Sequence, residues 1–364
     1  MKFTCDRSVL LNEISLAQEI ISSKLAISIL SNIYMEADND TLLIKATDMK
    51  VNFETRVPVT VLEPGSTTVF GDKFFGIINS IPEGELEFDQ KDKIVVRTSV
   101  KKYCAQLKSI ASEKFPEFPQ SVSKFFDIPI REFKEMILQT VFAVSDDETR
   151  FFMNGVYFEK SGGKLIMVAT DGRRLAYIGK DAPPEIDDFP GVIIPPKILN
   201  IIVKRSGDEG SVSVSVTDKI IYINFGSYRL SSVLLDGQFP NYNKVIPENQ
   251  SSSVIINRHE MLDALRRVSL MVEQKSHRVY MGLGPGSLGV YSEESDIGTA
   301  REDIPCKYEG EEVNIALNYR YIEDPFKAMN CDEVCIRFTD PKKAITIQPV
   351  PERDFFHIVM PMQM

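Results

Sequence analysis

The chain has 364 residues, a length that predicts two to four domains with ample hydrophobic cores. It is 43% apolar and 26% charged, as in globular proteins, and its longest apolar run, Leu165 to Ala169, is too short for a membrane-spanning helix. The net charge of −10 excludes a surface that is basic throughout, so any contact with nucleic acid requires cations gathered on one face.

The cellular compartment can also be inferred. The first residues lack the apolar core of a secretion signal, and the five cysteines are scattered and odd in number. Both features predict a reduced, cytoplasmic protein without a disulfide framework.

The sequence repeats itself three times, with a period of roughly 124 residues. Each repeat has a β-like run followed by a helical segment, then a β-rich centre, then a second helix that begins with a cation, then further strands. The repeat predicts an α+β fold of three similar domains, each with two helices packed on an antiparallel sheet. The alternative, that all two-layer α+β domains look roughly alike, stays open. The expected domains are 1–123, 124–250 and 251–364.

The second helix of each repeat carries a cation at the same exposed position, namely Lys73, Lys197 and Arg320. Apolar residues at helical spacing predict that the opposite face packs inward. One such cation is usually only a solvated side chain, but three in register suggest a shared role. The third helix is the least regular, because Pro325 disturbs a helix unless it falls in the first turn.

Strand patterning supports the two-layer prediction. Val212, Val214 and Val216 alternate with serines, which predicts a half-exposed antiparallel strand. Six helices from one chain enclose too small a hole for a duplex. Twelve helices at ordinary spacing lie on a circle of roughly 34 Å and leave a hole of about 24 Å. Two chains joined head to tail would therefore surround DNA, which is about 20 Å across.

Four segments carry a resemblance over the whole chain: the opening 1–4, then 168–176, 236–242 and the ending 359–364. With them the sequence resembles the bacterial sliding clamps, the beta subunits of DNA polymerase III. The resemblance implies a head-to-tail homodimeric ring whose helices line the hole. It also implies a non-catalytic processivity factor without cofactor or metal, which encircles double-stranded DNA and binds the polymerase III catalytic subunit, the clamp loader and other proteins with a clamp-binding motif.

The resemblance also implies a peptide-binding cleft between the second and third domains. Apolar and thioether side chains suit varied partners, and arginines suit the polar parts of a peptide. A surface turn and a frayed tail are the alternative interpretations of these segments. The cleft residues are Arg150, Met153, Thr170, Gly172, Arg173, Arg174, Leu175, Pro240, Lys244, Val245, Ile358, Val359, Met360, Pro361 and Met362.

This chain departs from the family pattern at a few of these positions. Arg173 stands where histidine is common, Lys244 where arginine is common, and Gln363 and Met364 where Arg-Leu is common. These changes bear on the affinity for a given peptide.

Two further surfaces are predicted. DNA contacts, few and independent of sequence, are expected from Lys24, Lys73, Arg131, Lys197, Lys204, Arg267 and Arg320. By the arrangement that the resemblance implies, the dimer interface joins Ala105 and Leu107 of one copy to Leu270 and Met271 of the other.

Two other functions stay open. Asp48, Asp171 and Arg173 allow a phosphate-processing enzyme that holds Mg²⁺, although the two aspartates occupy equivalent positions in separate repeats. A scaffold that binds peptides but no DNA is the second. The histidines and cysteines lack the spacing of a zinc site, and no phosphate-binding Gly-rich motif is complete.

Overall fold

The computed structural model describes residues 1–21, 29–91, 93–98, 103–184, 186–296 and 298–363. Lys24, one of the expected DNA contacts, lies outside these residues. Within them, no helix is long and apolar enough to span a bilayer.

Each third of the chain follows the same order of elements, as the repeat predicts: a strand, a helix, a run of strands, a second helix and a final run of strands. The six α-helices of the described residues are α1 (Arg7–Ile20), α2 (Gly71–Ser80), α3 (Ile130–Leu138), α4 (Pro196–Arg205), α5 (Arg258–Val268) and α6 (Tyr319–Ala328).

The strands follow the same threefold order. In the first third they are β1 (Lys2–Asp6), β2 (Asn32–Asp38), β3 (Thr41–Thr47), β4 (Val51–Pro58), β5 (Thr60–Glu63), β6 (Gly65–Phe70), β7 (Glu85–Gln90), β8 (Ile94–Thr98), β9 (Tyr103–Leu107) and β10 (Ser109–Ile110). In the second they are β11 (Phe126–Pro129), β12 (Val156–Ser161), β13 (Lys164–Thr170), β14 (Arg174–Asp181), β15 (Val192–Ile194), β16 (Ser211–Val216), β17 (Ile220–Phe225) and β18 (Tyr228–Val233). In the third they are β19 (Ser252–Asn257), β20 (Arg278–Gly284), β21 (Ser287–Tyr291), β22 (Arg301–Lys307), β23 (Val313–Asn318), β24 (Glu333–Phe338), β25 (Ile345–Val350) and β26 (Phe355–Val359).

The chain forms two compact units. The first holds residues 1–131 and 197–234, and the second holds 132–196 and 235–364. Each unit thus contains part of the middle repeat, because strands of neighbouring repeats pair with each other. In the first unit β4 pairs with β18, and in the second β14 pairs with β26.

The sheets are antiparallel, as predicted, and each lies within one unit. The first unit contains a five-stranded sheet, β5-β1-β7-β8-β9, and a nine-stranded sheet, β10-β6-β2-β3-β4-β18-β17-β16-β11. The second unit contains a twelve-stranded sheet, β15-β12-β13-β14-β26-β25-β24-β19-β22-β21-β20-β23.

The helices begin and pack as their sequences predict. Asp6 caps α1 by accepting the backbone N–H of Ser8 at 2.8 Å, and Asn257 caps α5 in the same way. The apolar stripes are buried, including Phe74 and Ile78 of α2, while the cations on the opposite faces stay more exposed. Helix formation therefore follows from capping and from burial of one face.

Two local expectations need correction. Pro325 lies in the interior of α6 rather than its first turn, yet the helix continues, and the Pro325 carbonyl accepts the N–H of Met329 at 3.0 Å. In β16 the alternation fails at its end, where Ser215 is buried and Val216 is only partly so. Ser215 is buried because its hydroxyl bonds the Ser121 hydroxyl at 2.7 Å and the Ser123 carbonyl.

His357 of β26 is a fully buried histidine in the second unit. Gln139 donates its amide N–H to the Ala328 carbonyl at 2.8 Å, so its oxygen faces His357 Nε2 at 3.1 Å and accepts that N–H. Nδ1 is then unprotonated, and it has no partner among the described residues. Burial, with a smaller contribution from Arg174, lowers the pKa of His357 to about 3.

Stability should therefore fall in mild acid. The unfolded chain binds a proton at His357 below its ordinary pKa of about 6.5, whereas the folded chain resists protonation down to about 3. The stabilisation is present above about 6.5 and is lost as the pH falls towards 3. Between pH 7.5 and 5.5 we expect the wild-type free energy of unfolding to lose about 1 kcal/mol more than that of His357→Gln, measured by urea denaturation. A difference between the two proteins that is constant with pH would contradict this.

Candidate functional site

A cavity of about 150 Å³ in the second unit brings together most of the predicted cleft residues. Its walls come from the β13–β14 turn, from the segment after Phe239 and from the end of the chain. The lining residues are Met153, Thr170, Gly172, Arg173, Arg174, Leu175, Pro240, Asn241, Tyr242, Val245, Ile358 and Met360.

The turn between β13 and β14 is held by its own side chains. Asp171 accepts the backbone N–H groups of Arg173 at 2.8 Å and Arg174 at 3.0 Å. The Thr170 hydroxyl donates to the Arg174 carbonyl and accepts the Gly172 N–H. Gly172 has φ +86°, and a Cβ there would also lie 3.0 Å from Arg150 Nη1, so glycine suits this position. The turn therefore has a conformation that several hydrogen bonds of its own side chains hold in place.

The floor of the cavity is made by two paired strands. Leu175 of β14 stands opposite Ile358 of β26, and both side chains are buried. They belong to an apolar cluster that also includes Val168, Phe239 and Tyr242. Because Leu175 and Ile358 pack against the other buried side chains of this cluster, the apolar floor of the cavity is held in place.

The end of the chain is attached to the same sheet. The Met360 N–H donates to the Arg173 carbonyl at 2.9 Å, and the Met362 N–H donates to the Ala316 carbonyl at 2.8 Å. The tail is therefore not frayed up to Met362. These bonds leave Met360 47% exposed, and Val245 is 53% exposed. Two adaptable apolar side chains thus border the opening.

Asn241 and Tyr242 line the cavity but were not predicted as cleft residues. The Tyr242 hydroxyl donates to Glu159 Oε1 at 2.6 Å, and burial followed by that hydrogen bond raises its pKa. Both follow the Pro240 that was predicted, so adjacency along the chain was the available signal. Five of the predicted cleft residues do not line this cavity, namely Arg150, Lys244, Val359, Pro361 and Met362.

Arg174 lines the cavity, and its guanidinium is also bonded to several groups of its own chain. Its guanidinium donates to Asp171 at 3.1 Å, Asp324 at 2.6 Å and the Phe142 carbonyl at 2.6 Å, and it stacks on Tyr321. Its side chain is only 12% exposed. Because these partners use its donors, Arg174 holds the cleft together and has little capacity left for a peptide.

Arg150 and Arg173 are more available. Both line a neighbouring cavity that includes Asp146, His277 and Arg320. Arg150 pairs with Asp147 at 2.8 Å but stays 44% exposed. Arg173 is exposed, and among the described residues no carboxylate lies within ion-pair distance of its guanidinium. Arg173 is thus an exposed cation on the wall of the cavity.

The predicted DNA-facing cations differ in their partners. Lys197 donates to Asp48 at 2.6 Å and to the Ile20 carbonyl at 2.9 Å, and Lys204 pairs with Glu19 at 2.7 Å. Arg267 donates to both oxygens of Glu302, with Nε at 2.7 Å. Each of these three cations therefore has a carboxylate in direct contact.

The other predicted cations are less engaged. Among the described residues, Lys73 forms an ion pair with its neighbour Asp72 at 3.4 Å, and both side chains are largely exposed. Arg131 is exposed at the start of α3. Arg320 lies over its neighbour Tyr319, and no carboxylate of the described residues is within ion-pair distance of it.

The predicted dimer residues lie on exposed edges. Ala105 and Leu107 belong to β9, the edge strand of the five-stranded sheet, and both are partly exposed. Leu270 and Met271 form a short 3₁₀ turn after α5, where Leu270 is 77% exposed. An apolar side chain this exposed is suited to an interface.

Family models match nearly the whole chain in three consecutive parts. The DNA polymerase III beta subunit N-terminal domain matches residues 1–119, the central domain 127–241 and the C-terminal domain 243–363.

Full-length relatives and solved structures agree. The chain is 46% identical to the beta sliding clamp of Treponema pallidum and 28% identical to that of Escherichia coli, each over 100% of both chains. It superposes on the DnaN sliding clamp of Bartonella birtlesii bound to griselimycin with a TM-score of 0.93 and 27% identity, covering 100% of both chains. The DNA polymerase sliding clamp of Bacillus subtilis superposes with a TM-score of 0.90 and 27% identity, covering 100% of this chain and 99% of that one. The chain therefore belongs to the DNA polymerase III beta subunit family, the beta sliding clamps.

Proposed function

We propose that this chain is a processivity factor that encircles duplex DNA as a head-to-tail homodimer and tethers the replicative polymerase through the cleft. The observation that carries the proposal is the match of three consecutive thirds of the chain to the three clamp domains. In the proposed ring the α-helices line the hole and the sheets face outward. The domain boundaries near residues 123 and 250 belong to the same proposal.

The charges of the chain favour encirclement of DNA over tight electrostatic binding to its phosphates. The chain carries a net charge of −10, so the protein as a whole repels a duplex at long range. The proposed inner cations are few, and several already contact carboxylates. A ring that slides needs weak, sequence-independent attraction, because strong phosphate contacts would hold it in one place.

The dimer is supported by two exposed edges. The edge of β9 offers unpaired backbone groups, and Leu270 offers an exposed apolar side chain. These surfaces differ from each other, so joining one to the other makes a heterologous contact that closes when the rotation allows. In the proposed dimer β9 of one copy lies against the Leu270 region of the next.

The cleft is the proposed site for partner peptides. Its floor is apolar, Met360 and Val245 adapt to different side chains, and Arg173 offers a free guanidinium for a carboxylate or carbonyl. A short extended peptide from the polymerase catalytic subunit, from the clamp loader or from another clamp-binding protein would occupy it.

The enzyme alternative is less favoured by the geometry. The Asp171 carboxylate accepts two backbone N–H groups of the β13–β14 turn and the guanidinium of Arg174. Asp48 is partly buried, but hydrogen bonds from Lys197, Val51 and Lys50 outweigh that burial and lower its pKa. Both carboxylates therefore have structural roles, and we propose that the protein acts without catalysis of its own. A DNA-retention assay distinguishes the second alternative, a scaffold that binds peptides but no DNA, from a sliding clamp.

Encirclement predicts that retention depends on DNA topology. After loading by the cognate clamp loader and ATP onto nicked circular plasmid, the protein should remain bound through gel filtration at high salt, and cutting the plasmid should release it. Salt screens phosphate contacts but does not open a ring.

The matched variant is Leu270→Glu, which places a charge at an exposed position of the proposed seam. It should sediment as a monomer and lose retention on circles while it still binds the partner peptide. Equal high-salt retention on circular and cut DNA would contradict encirclement.

The cleft assignment predicts that deleting residues 360–364 abolishes partner binding. The deletion removes the Met360 wall and the backbone bonds that attach the tail to Arg173 and Ala316. Fluorescence anisotropy with a labelled peptide from the C-terminus of the cognate polymerase catalytic subunit should show a loss of affinity of at least tenfold, since an anchoring contact is worth about 1.4 kcal/mol or more.

Arg173→Ala is the milder companion, and we expect it to weaken the same peptide without changing the dimer. Sedimentation should show that the truncated chain remains a dimer. Unchanged peptide affinity after truncation would show that the cleft is elsewhere.

A further inference from the structure

Three of the cations that the sequence predicts to face DNA are in contact with carboxylates of their own chain. The pairs are Lys204 with Glu19, Lys197 with Asp48 and Arg267 with Glu302. Lys73, Arg131 and Arg320 lack a comparable close pair with a distant carboxylate among the described residues.

The three pairs are not equivalent. Lys197 also donates to the Ile20 carbonyl, and Asp48 also caps the turn after β3, so this pair is part of the fold. The side chains of Lys204 and Glu19 are about half exposed, and they form an ion pair with each other at 2.7 Å. Arg267 is likewise half exposed, and its hydrogen bond lowers the pKa of Glu302. The Lys204–Glu19 and Arg267–Glu302 pairs are therefore open to competition from a phosphate, the first more readily because Arg267 makes two hydrogen bonds to Glu302.

We propose that Glu19 and Glu302 act as competing anions that weaken the hold of Lys204 and Arg267 on the DNA backbone and so keep the ring mobile. This inference rests on the proposed function, because it requires both cations to face the duplex.

The physical reason is competition at a solvated surface. An exposed ion pair is weak, so a DNA phosphate can replace the carboxylate, but each replacement gives up one charge contact for another. The displaced carboxylate also stays close to the phosphate and repels it. The net attraction of each cation for DNA is then small, and the duplex moves past it readily.

The chain supplies a matched control. Lys307 and Glu333 form an ion pair at 2.6 Å, with side chains 67% and 37% exposed, and neither is a predicted DNA contact. The substitutions E19Q, E302Q and E333Q each raise the net charge by one unit, so a comparison among them separates position from total charge.

The test measures binding of a short linear fluorescent duplex, which does not require encirclement, by the dimer at low salt. Each freed cation adds about one phosphate contact, so over a fourfold rise in salt the affinity of the variant should fall about threefold more than that of wild type. E19Q and E302Q should each bind the duplex more tightly than wild type at low salt, and the double variant more tightly still. Over a fourfold rise in salt, each single variant should lose about threefold more affinity than wild type, and the double variant about tenfold more. E333Q should match wild type.

A second measurement follows the loaded clamp on stretched DNA, where the double variant should diffuse more slowly than wild type and E333Q should not. The inference is overturned if E19Q and E302Q bind and slide as wild type does, or if E333Q shows the same gain. If wild type itself fails to stay on circular DNA at high salt, the proposed function fails as well, so the two failures are distinguishable.

Discussion

The candidate site depends on the pairing of β14 with β26. This one antiparallel ladder joins the middle repeat to the last, and it places Leu175 beside Ile358 as a buried floor. It also brings the end of the chain to the β13–β14 turn, where Met360 bonds to Arg173. Without this ladder the turn, the floor and the tail would be three unrelated segments. In the first unit β4 and β18 make the corresponding junction, but there the polar Asn52 and Ser231 stand opposite each other, where the second unit has Leu175 and Ile358.

Charge is used differently at the cleft and at the predicted DNA surface. At the cleft, Arg174 is enclosed by Asp171, Asp324 and Tyr321 and fixes the shape of the site, while Arg173 is exposed and has no ion-pair partner in the described part of the chain. At the predicted DNA surface, Lys204 and Arg267 contact acidic partners that are themselves solvated. A largely enclosed guanidinium with several hydrogen bonds gives rigidity, whereas exposed pairs give weak and exchangeable attraction. Tethering a partner while sliding on DNA requires both.

Much of the fold was predictable because its determinants are local. Helical stripes such as Phe74 and Ile78, and the threefold order of elements, follow from periodicity within one segment. Most cleft residues were identified through the resemblance, and the cavity brings them together. The structural role of Arg174 was not predictable, because Asp324 and Phe142 are far from it in sequence. The burial of Ser215 and the carboxylate partners of Lys204 and Arg267 were not predictable for the same reason, because the contacting residues are distant in sequence.

The account requires the cleft to exist before any peptide arrives, and hydrogen exchange tests this directly. In the protein without peptide, the Met360 and Met362 amides should exchange much more slowly than in an unstructured chain, because both donate to backbone carbonyls of the second unit. Protection of Met360 should approach that of the neighbouring amides of β26. Exchange of both methionine amides at the rate of a free chain, while β26 stays protected, would show that the tail forms the wall only after a ligand binds.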